Sequence, residues 1–276
     1  MQSGGRPEGV AAAATLAASA ETIWLAVAPT LPGFTVEVVP EIDSTNSELM
    51  RRARAAPLDP VLLVAEQQTA GRGRLGRGWH SQPGHSLTFS LGFTLRPRSW
   101  SGLSLVVGVS LAERLHADVR LKWPNDLWLM ERKLGGILVE TAGLADGPDA
   151  ARAVVIGVGL NVARPAEAAV QQVPGGALPP MPPAGLAEVE MGVTAPEWLA
   201  RLVPALVADV KHFEAEGFAP FVSRFAARDA LRERAVTLSD GTRGQAAGVA
   251  DDGALMVRVD GRLRRVDSAE VSVRPC

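Results

Sequence analysis

Cysteine occurs once, at position 276 of 276, so no disulfide can form within the chain, and a nucleophile on a fraying terminus would be a poor one; a reducing, cytoplasmic setting fits. No stretch has the length and apolarity of a membrane span. The first thirty residues carry one early arginine, and Glu8, Ser19 and Glu21 interrupt their apolar run, so neither a secretory signal nor a membrane partner is expected. An excess of charge is missing too: 28 basic and 30 acidic residues leave a net charge of -2, which gives no global drive toward nucleic acid. The four histidines, His80, His85, His116 and His212, are scattered without an HExxH or Cys/His cluster, although His80 and His85 lie near glycines. Serines occur without a G-x-S-x-G elbow, and neither a P-loop nor a strand-bound G-x-G-x-x-G is present. Zinc hydrolysis and serine hydrolysis therefore rank low, and a nucleotide would have to be held in some other way.

What is present is apolar bulk. With 47% hydrophobic and 21% charged residues, the chain can build one large domain with a smaller one attached. Residues 1–33 form an extension in which an Ala-rich stretch over 11–28 predicts a helix, with Leu16, Ile23, Trp24 and Val27 on one stripe and Pro29 and Pro32 as terminators. It is too short and too unlike a helix-turn-helix to read DNA. From Phe34, FTVEVV, VLLVAE, SLTFSLGFTL, VRLKW, ILVET and ARAVVIGVGLNV read as strands, and Leu103 to His116 reads as a helix. The Pro-rich stretch 164–196 predicts a surface loop. Helices follow at Pro196–Ala215 and Pro220–Arg228, the first burying Leu199, Leu202, Leu206, Val210 and Phe213. The tail 231–276 strings short strands around Asp-Gly turns at 240–241, 252–253 and 260–261, a barrel-like pattern. The fold class is α+β, with a mixed central sheet packed with helices over 34–230 and a small C-terminal β-barrel.

Lysine and asparagine are scarce, three of each, and two of the lysines and all three asparagines sit in polar punctuations of apolar sequence: Asn46 in EIDSTN, Lys122, Asn125 and Lys133 in LKWPNDLWLMERKLGG, and Asn161 in GVGLN. Between them EQQTAGRGRLGRGWH (66–80) alternates glycine with arginine. Glycines let consecutive amide donors face a ligand, and the guanidinium groups of Arg72, Arg74 and Arg77 can fork around carboxylate or phosphate oxygens. A solvated loop or an RNA-contacting patch is the competing reading. Trp79 can wall a pocket or stack on a heterocycle. In EIDSTN, Ser44, Thr45 and Asn46 are placed to cap a helix beginning near Ser47, with Glu48 completing a capping box. Lys133 can neutralise a phosphate, Asp126 can hold a divalent cation or orient a polar group, and Lys122, alternating with Leu121 and Trp123, reads as solvent-facing.

Taken in order, EIDSTN, QQTAGRGRLGRGW, LKWPNDLWL, RKLGGILVE and GVGLNV closely resemble biotin protein ligase, over roughly Phe34 to Arg228, and the tail resembles the family's small following domain. The resemblance implies a class II aminoacyl-tRNA synthetase-like catalytic fold over 34–230 with an SH3-like domain over 231–276. It implies joining of biotin to AMP with ATP and Mg2+, then transfer to a lysine of the biotin carboxyl carrier domain of acetyl-CoA carboxylase. Site residues carried over are Ser44, Thr45, Asn46 and Gln68 toward biotin; Gly71, Arg72, Gly73, Arg74 and Arg77 in the loop over biotin and the adenylate; and Trp79 and Asn161 toward adenine. Lys133 is carried over at the phosphate and carboxylate, with Gly135 beside it, and Asp126 as a magnesium ligand. Arg74, Arg77 and Lys133 are the catalytic set. The form implied lacks the N-terminal DNA-binding domain of repressor-type relatives, so no DNA partner is expected, and the chain is a monomer or weak homodimer. Leu75 departs from the family, which has Arg there in some members. The alternatives are a lipoate-protein ligase, disfavoured by the GRGRLGRGW and KWPND pair, and a nucleic-acid-binding module built on the Gly/Arg loop and the tail, disfavoured by the near-zero net charge.

Overall fold

Alternation in the strand segments sorts side chains to two unlike faces of one sheet. In the computed structural model, which describes residues 19–143, 150–165, 182–267 and 273–275, the large sheet has seven strands: β1 (Thr35–Ile42), β2 (Val61–Gln68), β5 (Ser86–Leu95), β6 (Arg120–Lys122), β7 (Asp126–Leu129), β8 (Arg132–Ala142) and β9 (Arg152–Asn161), in the order β1-β2-β5-β9-β8-β7-β6. Between β2 and β5 in sequence lie two short strands, β3 (Gly71–Arg72) and β4 (Gly78–Trp79), which pair only with each other. Strands β1 and β2 are parallel, joined through helix α2 (Thr45–Ala55), and the other neighbours are antiparallel, so the sheet is mixed as expected.

Leu87, Phe89, Leu91 and Phe93 of β5 and Val154, Ile156, Val158 and Leu160 of β9 enter the main core, with Val106, Val107 and Leu111 of α3 (Leu103–Leu115) and Leu199, Leu202, Leu206, Val210 and Phe213 of α4 (Ala195–Glu216). Each such burial is worth about 1.5–3 kcal/mol, which is why the sequence period dictates this face. The alternate positions are small or polar: Thr88, Ser90 and Gly92 on β5, Gly157 and Gly159 on β9. Helix α2 covers only part of that thin face, through Leu49 and Met50 packed on Val61, Leu63 and Val155.

Helix ends refine the expectations. The Ser44 side chain caps α2 by accepting from the Ser47 amide at 3.4 Å, but Glu48 closes no capping box, because Arg51 and Arg52 one turn on take its carboxylate at 2.7 and 2.9 Å. In helix α1 (residues 19–27), Ile23 and Val27 are buried, while Trp24, one residue and so about 100° off that stripe, is 47% exposed and donates to the Phe34 carbonyl at 2.9 Å. Leu16 lies outside the described residues, as do 166–181 of the Pro-rich stretch and Cys276. The helix expected at Pro220–Arg228 is a 3-10 turn, Ala219–Phe221, followed by α5 (Val222–Ala226).

The tail forms an antiparallel sheet of β10 (Ala235–Leu238), β11 (Arg243–Val249), β12 (Leu255–Val259), β13 (Arg262–Val266) and β14 (Val273–Pro275), ordered β13-β12-β11-β10-β14. At the β12–β13 turn Asp260 and Gly261 both have positive φ, 49° and 77°, with Val259 opposite Arg262, as a two-residue hairpin demands. Barrel closure is not seen among the described residues, where β13 and β14 are opposite edges. Turn chemistry sets neighbouring pairs, whereas closure depends on tilt and stagger accumulated over the whole sheet. Val236, Ala246, Leu255 and Val257 join the main core. No helix among the described residues is long and apolar enough to cross a membrane.

Candidate active site

The thin face of the large sheet, left bare by α2, is roofed by the Gly/Arg segment, and an open cavity of about 150 Å³ lies between them. Strands β3 and β4 form a ribbon, Gly71 opposite Trp79, from which the intervening loop hangs. A Cβ at Gly71 would lie 2.4 Å from the Trp79 carbonyl oxygen, so the ribbon needs glycine there. Within the loop the Gly73 amide donates to the Arg77 carbonyl at 2.7 Å, and Leu75 (φ 55°) and Gly76 (φ 71°) are both left-handed, uncommon for a leucine.

At the polar end of the cavity, Gln68 Oε1 accepts from the Thr45 amide at 2.7 Å and from the Thr45 hydroxyl at 3.1 Å. Ser90 Oγ, fully buried, lies 2.7 Å from Thr45 Oγ1 and 2.6 Å from Asn46 Oδ1; its one proton belongs with the amide oxygen, which can only accept, while the Thr45 hydroxyl can both donate and accept. Asn46 Nδ2 donates to Glu140 Oε2 at 3.0 Å and to the Leu138 carbonyl at 3.3 Å. Every polar atom of the Asn46 side chain is thus engaged, which fixes which side of the amide faces the sheet. Ser90→Ala removes the hydroxyl shared by Thr45 and Asn46, and a loss of about 1–2 kcal/mol in unfolding free energy is expected by urea denaturation; an unchanged midpoint and slope would rule out this network as a stabilising one.

At the opposite end Lys133 Nζ donates to Asp126 Oδ1 at 2.8 Å and Lys122 Nζ lies 3.9 Å from Asp126 Oδ2. Arg74 reaches Asn125 Oδ1 at 3.4 Å. Burial pushes the Arg74 guanidinium below the usual arginine value, opposed by the charge of Asp126 and assisted by that of Arg77. Arg72, on the outer side, pairs with Glu140 at 2.9 Å. Five cationic side chains, Arg72, Arg74, Arg77, Lys122 and Lys133, line the cavity against one carboxylate, Asp126, so the space is built for an anion. Trp79 closes one wall, its ring so near β9 that a Cβ on Gly159 would lie 2.5 Å from Cε2. The buried Trp79 Nε1 has no hydrogen-bond partner among the described residues.

Ser44, Thr45, Asn46, Gln68, Arg72, Gly73, Arg74, Arg77, Trp79, Asp126 and Lys133 therefore converge as the motifs implied. Three do not reach the cavity wall: Asn161, Gly135 and Gly71, whose place is in the β3–β4 ribbon opposite Trp79. Asn161, buried at the end of β9, donates to the Ala184 carbonyl at 3.1 Å, because the strand has already passed beneath Trp79 and the returning chain takes up the amide. Gly135 sits opposite Leu160, where a Cβ would lie 2.4 Å from the Gly159 carbonyl oxygen; its smallness serves strand approach. Lys122, read as solvent-facing, has a side chain only 15% exposed and lines the cavity, because β6 is followed at once by the turn that folds Asp126 back against it. Ser90, Gly157 and Gly159 escaped the motif reading. Their signal was the small-residue alternation inside SLTFSLGFTL and VVIGVGLN. Neither His80 nor His85 lines the cavity.

Among the described residues no three acidic, histidine or cysteine groups gather as a metal site. Asp126 alone, paired to two ammonium groups, is no preformed cage. It fits an ion carried mainly by phosphate oxygens that takes one protein oxygen, the usual way magnesium is held.

A mixed sheet whose bare face is roofed by a cationic Gly/Arg loop, with a small β-sheet following, is the arrangement that the resemblance of the motifs implied for a ligase. Residues 38–161 match the Biotin/lipoate A/B protein ligase family and residues 233–274 the Biotin protein ligase C terminal domain. The chain is 40% identical over 255 residues, 88% of its length and 75% of the relative's, to the bifunctional ligase/repressor BirA of Escherichia coli. It is 33% identical to the biotin--[acetyl-CoA-carboxylase] ligase of Paracoccus denitrificans, covering 83% of this chain and 96% of that one. Its fold is similar to that of the Aquifex aeolicus biotin protein ligase in complex with biotin and ATP, with a TM-score of 0.67 and 27% identity over 87% of this chain and 99% of the other. The chain belongs to the biotin protein ligase family.

Proposed function

We propose that this protein attaches biotin to protein in two steps: biotin's carboxylate attacks the α-phosphate of ATP, pyrophosphate leaves, and the biotinyl group passes from the mixed anhydride to a lysine of a biotin carboxyl carrier domain such as that of acetyl-CoA carboxylase. The observation that carries this is the single cavity lined both by Arg72–Trp79 and by Lys133. Two oxyacids repel each other, and the barrier falls only if cations hold both at once.

In this reading Ser44, Thr45, Asn46 and Gln68 hold the polar head of biotin; Arg74, Arg77 and Lys133 shield carboxylate and phosphate; and Trp79 walls the adenine. Magnesium would arrive on the nucleotide, with Asp126 as its protein oxygen, and would neutralise phosphate charge there. Gly73 to Gly78 lie over the mouth and shield the anhydride from water. Residues 34–230 form the catalytic domain and 231–276 the SH3-like domain, working in the cytoplasm, as a monomer or weak homodimer, without a DNA target. No protein nucleophile is needed, since the carboxylate of biotin itself attacks the α-phosphate.

The test is purified protein with ATP, magnesium and biotin, or lipoate in its place, followed by pyrophosphate release and the mass of the acyl-adenylate. Turnover with biotin and none with lipoate is expected, and the reverse would sink the substrate reading. Arg74→Ala is expected to slow adenylate formation or speed adenylate release by about 10- to 100-fold while the melting midpoint stays put; wild-type values for both rates would remove Arg74 from the machinery.

A further inference from the structure

Trp123, in the LKWPND segment, is 1% exposed. Its indole, however, reaches out of the large sheet: Nε1 donates to the Gly253 carbonyl at 3.0 Å, in the turn between β11 and β12 of the C-terminal sheet. Burial of an indole in this core does not enforce such a bond. Trp198, equally buried, leaves its Nε1 without a partner among the described residues.

The receiving turn is held firmly. Gly253 has a φ of +85°, its amide donates to the Ala250 carbonyl at 2.8 Å, and a Cβ there would lie 2.9 Å from Gly102 Cα, at the start of α3. In the first turn of that helix Ser104 Oγ donates to the Pro124 carbonyl at 3.2 Å. Asp252 steadies the same turn by accepting from the Ala254 amide at 3.2 Å and pairing with Arg265. The segment next to Trp123 is Pro124–Asn125–Asp126, whose Asn125 meets Arg74 and whose Asp126 pairs with Lys133.

We propose that Trp123 is a positioning residue: its indole N–H, anchored on the Gly253 carbonyl, sets the Pro124–Asp126 segment at the cationic end of the cavity, so that seating of the C-terminal sheet tunes the grip on ATP without touching the reacting atoms. This rests on the reading that the cationic end receives the nucleotide's phosphates. The polar end, built on Thr45, Gln68 and Ser90, is tied to α2, β2 and β5 and owes nothing to that turn. Biotin affinity and ATP affinity must therefore respond differently to the loss of the bond.

Trp123→Phe keeps a buried ring and removes the donor. The KM for ATP in adenylate formation is expected to rise about three- to tenfold, the effect of one buried hydrogen bond, while kcat and the calorimetric Kd for biotin measured without ATP stay within about twofold. Asp252→Ala, which loosens the turn from outside the cavity, is expected to shift the KM for ATP in the same direction and serves if the tryptophan variant does not fold. A KM for ATP at the unaltered value in an active Trp123→Phe protein, or in Asp252→Ala where that variant does not fold, overturns the proposal. So does an equal loss of biotin affinity, since that marks general loosening. If the unaltered protein released no pyrophosphate from ATP and biotin, the functional reading itself would fall, and the positioning role with it.

Discussion

Lys133→Ala is expected to lower kcat/KM for biotinyl-adenylate formation by about 100- to 1000-fold. The ammonium group sits in a cavity mouth, 2.8 Å from Asp126 and beside Lys122 and Arg74. Two unit charges about 4 Å apart interact by about 4 kcal/mol at an effective dielectric of about 20, which is roughly a thousandfold in rate if felt only in the transition state. Ground-state phosphate binding takes part of that. The substitution also leaves Asp126 facing the incoming phosphates with Lys122, at 3.9 Å, and the more distant Arg74 to offset it. For this reason Lys133→Ala with Asp126→Ala is expected to recover part of the loss, because the second change removes the carboxylate that the first exposed. The Lys133 side chain is 44% exposed, so the melting midpoint is expected to stay within about 2 °C. Single-turnover pyrophosphate release measures the rate; a drop smaller than about tenfold would separate Lys133 from the chemistry.

Gly157→Ala is expected to damage folding and binding together. A Cβ at this position would lie 2.1 Å from Asn46 Oδ1 and 2.8 Å from Asn46 Cγ. Asn46 cannot swing away cheaply, since Ser90, Glu140 and the Leu138 carbonyl hold its amide from both sides. Relief requires breaking at least one buried hydrogen bond or moving α2 off the sheet, so a loss of about 2–4 kcal/mol in unfolding free energy is expected, with biotin affinity falling by about a hundredfold. Gly159→Ala, two residues along the same face, is the informative contrast. There the Cβ would strike the Trp79 ring, which belongs to the two-stranded ribbon and can lift with it. Gly159→Ala is expected to cost less than about 1 kcal/mol in stability yet weaken ATP binding by about tenfold or more. Urea denaturation and calorimetric titration of each variant decide it; equal stability losses at the two glycines would show that the sheet, and not Asn46, sets the cost.

Most strands and the long helix α4 were legible from apolar runs and a period of about 3.6, whereas β7 (Asp126–Leu129) and the first five residues of β8 were not read as strand. The Gly/Arg loop, Lys133 and the Ser44–Asn46 triplet were legible because their residue types are rare choices in this composition or chemically unusual in their setting. Period and rarity do not reach further. Ser90 is one polar residue in an apolar strand, and only the stacking of α2 over β5 reveals that its hydroxyl serves Thr45 and Asn46. Asn161 carried the same rarity as Asn46, yet its amide closes on Ala184, across a stretch of chain whose return no local pattern announces.

By itself the sequence determined the mixed α+β class, the hairpin-rich tail and the chemical character of a cationic, glycine-supported anion site, because each is set by local composition and spacing. The tertiary structure alone decided that β5 and β9 turn a thin face toward that loop, that Lys122 points into the cavity, that Asn161 and Gly135 do not line it, and that Trp123 ties the site to the C-terminal sheet. Those outcomes depend on contacts between residues as many as 130 positions apart, whose cost in chain entropy is met only when the whole core assembles at once.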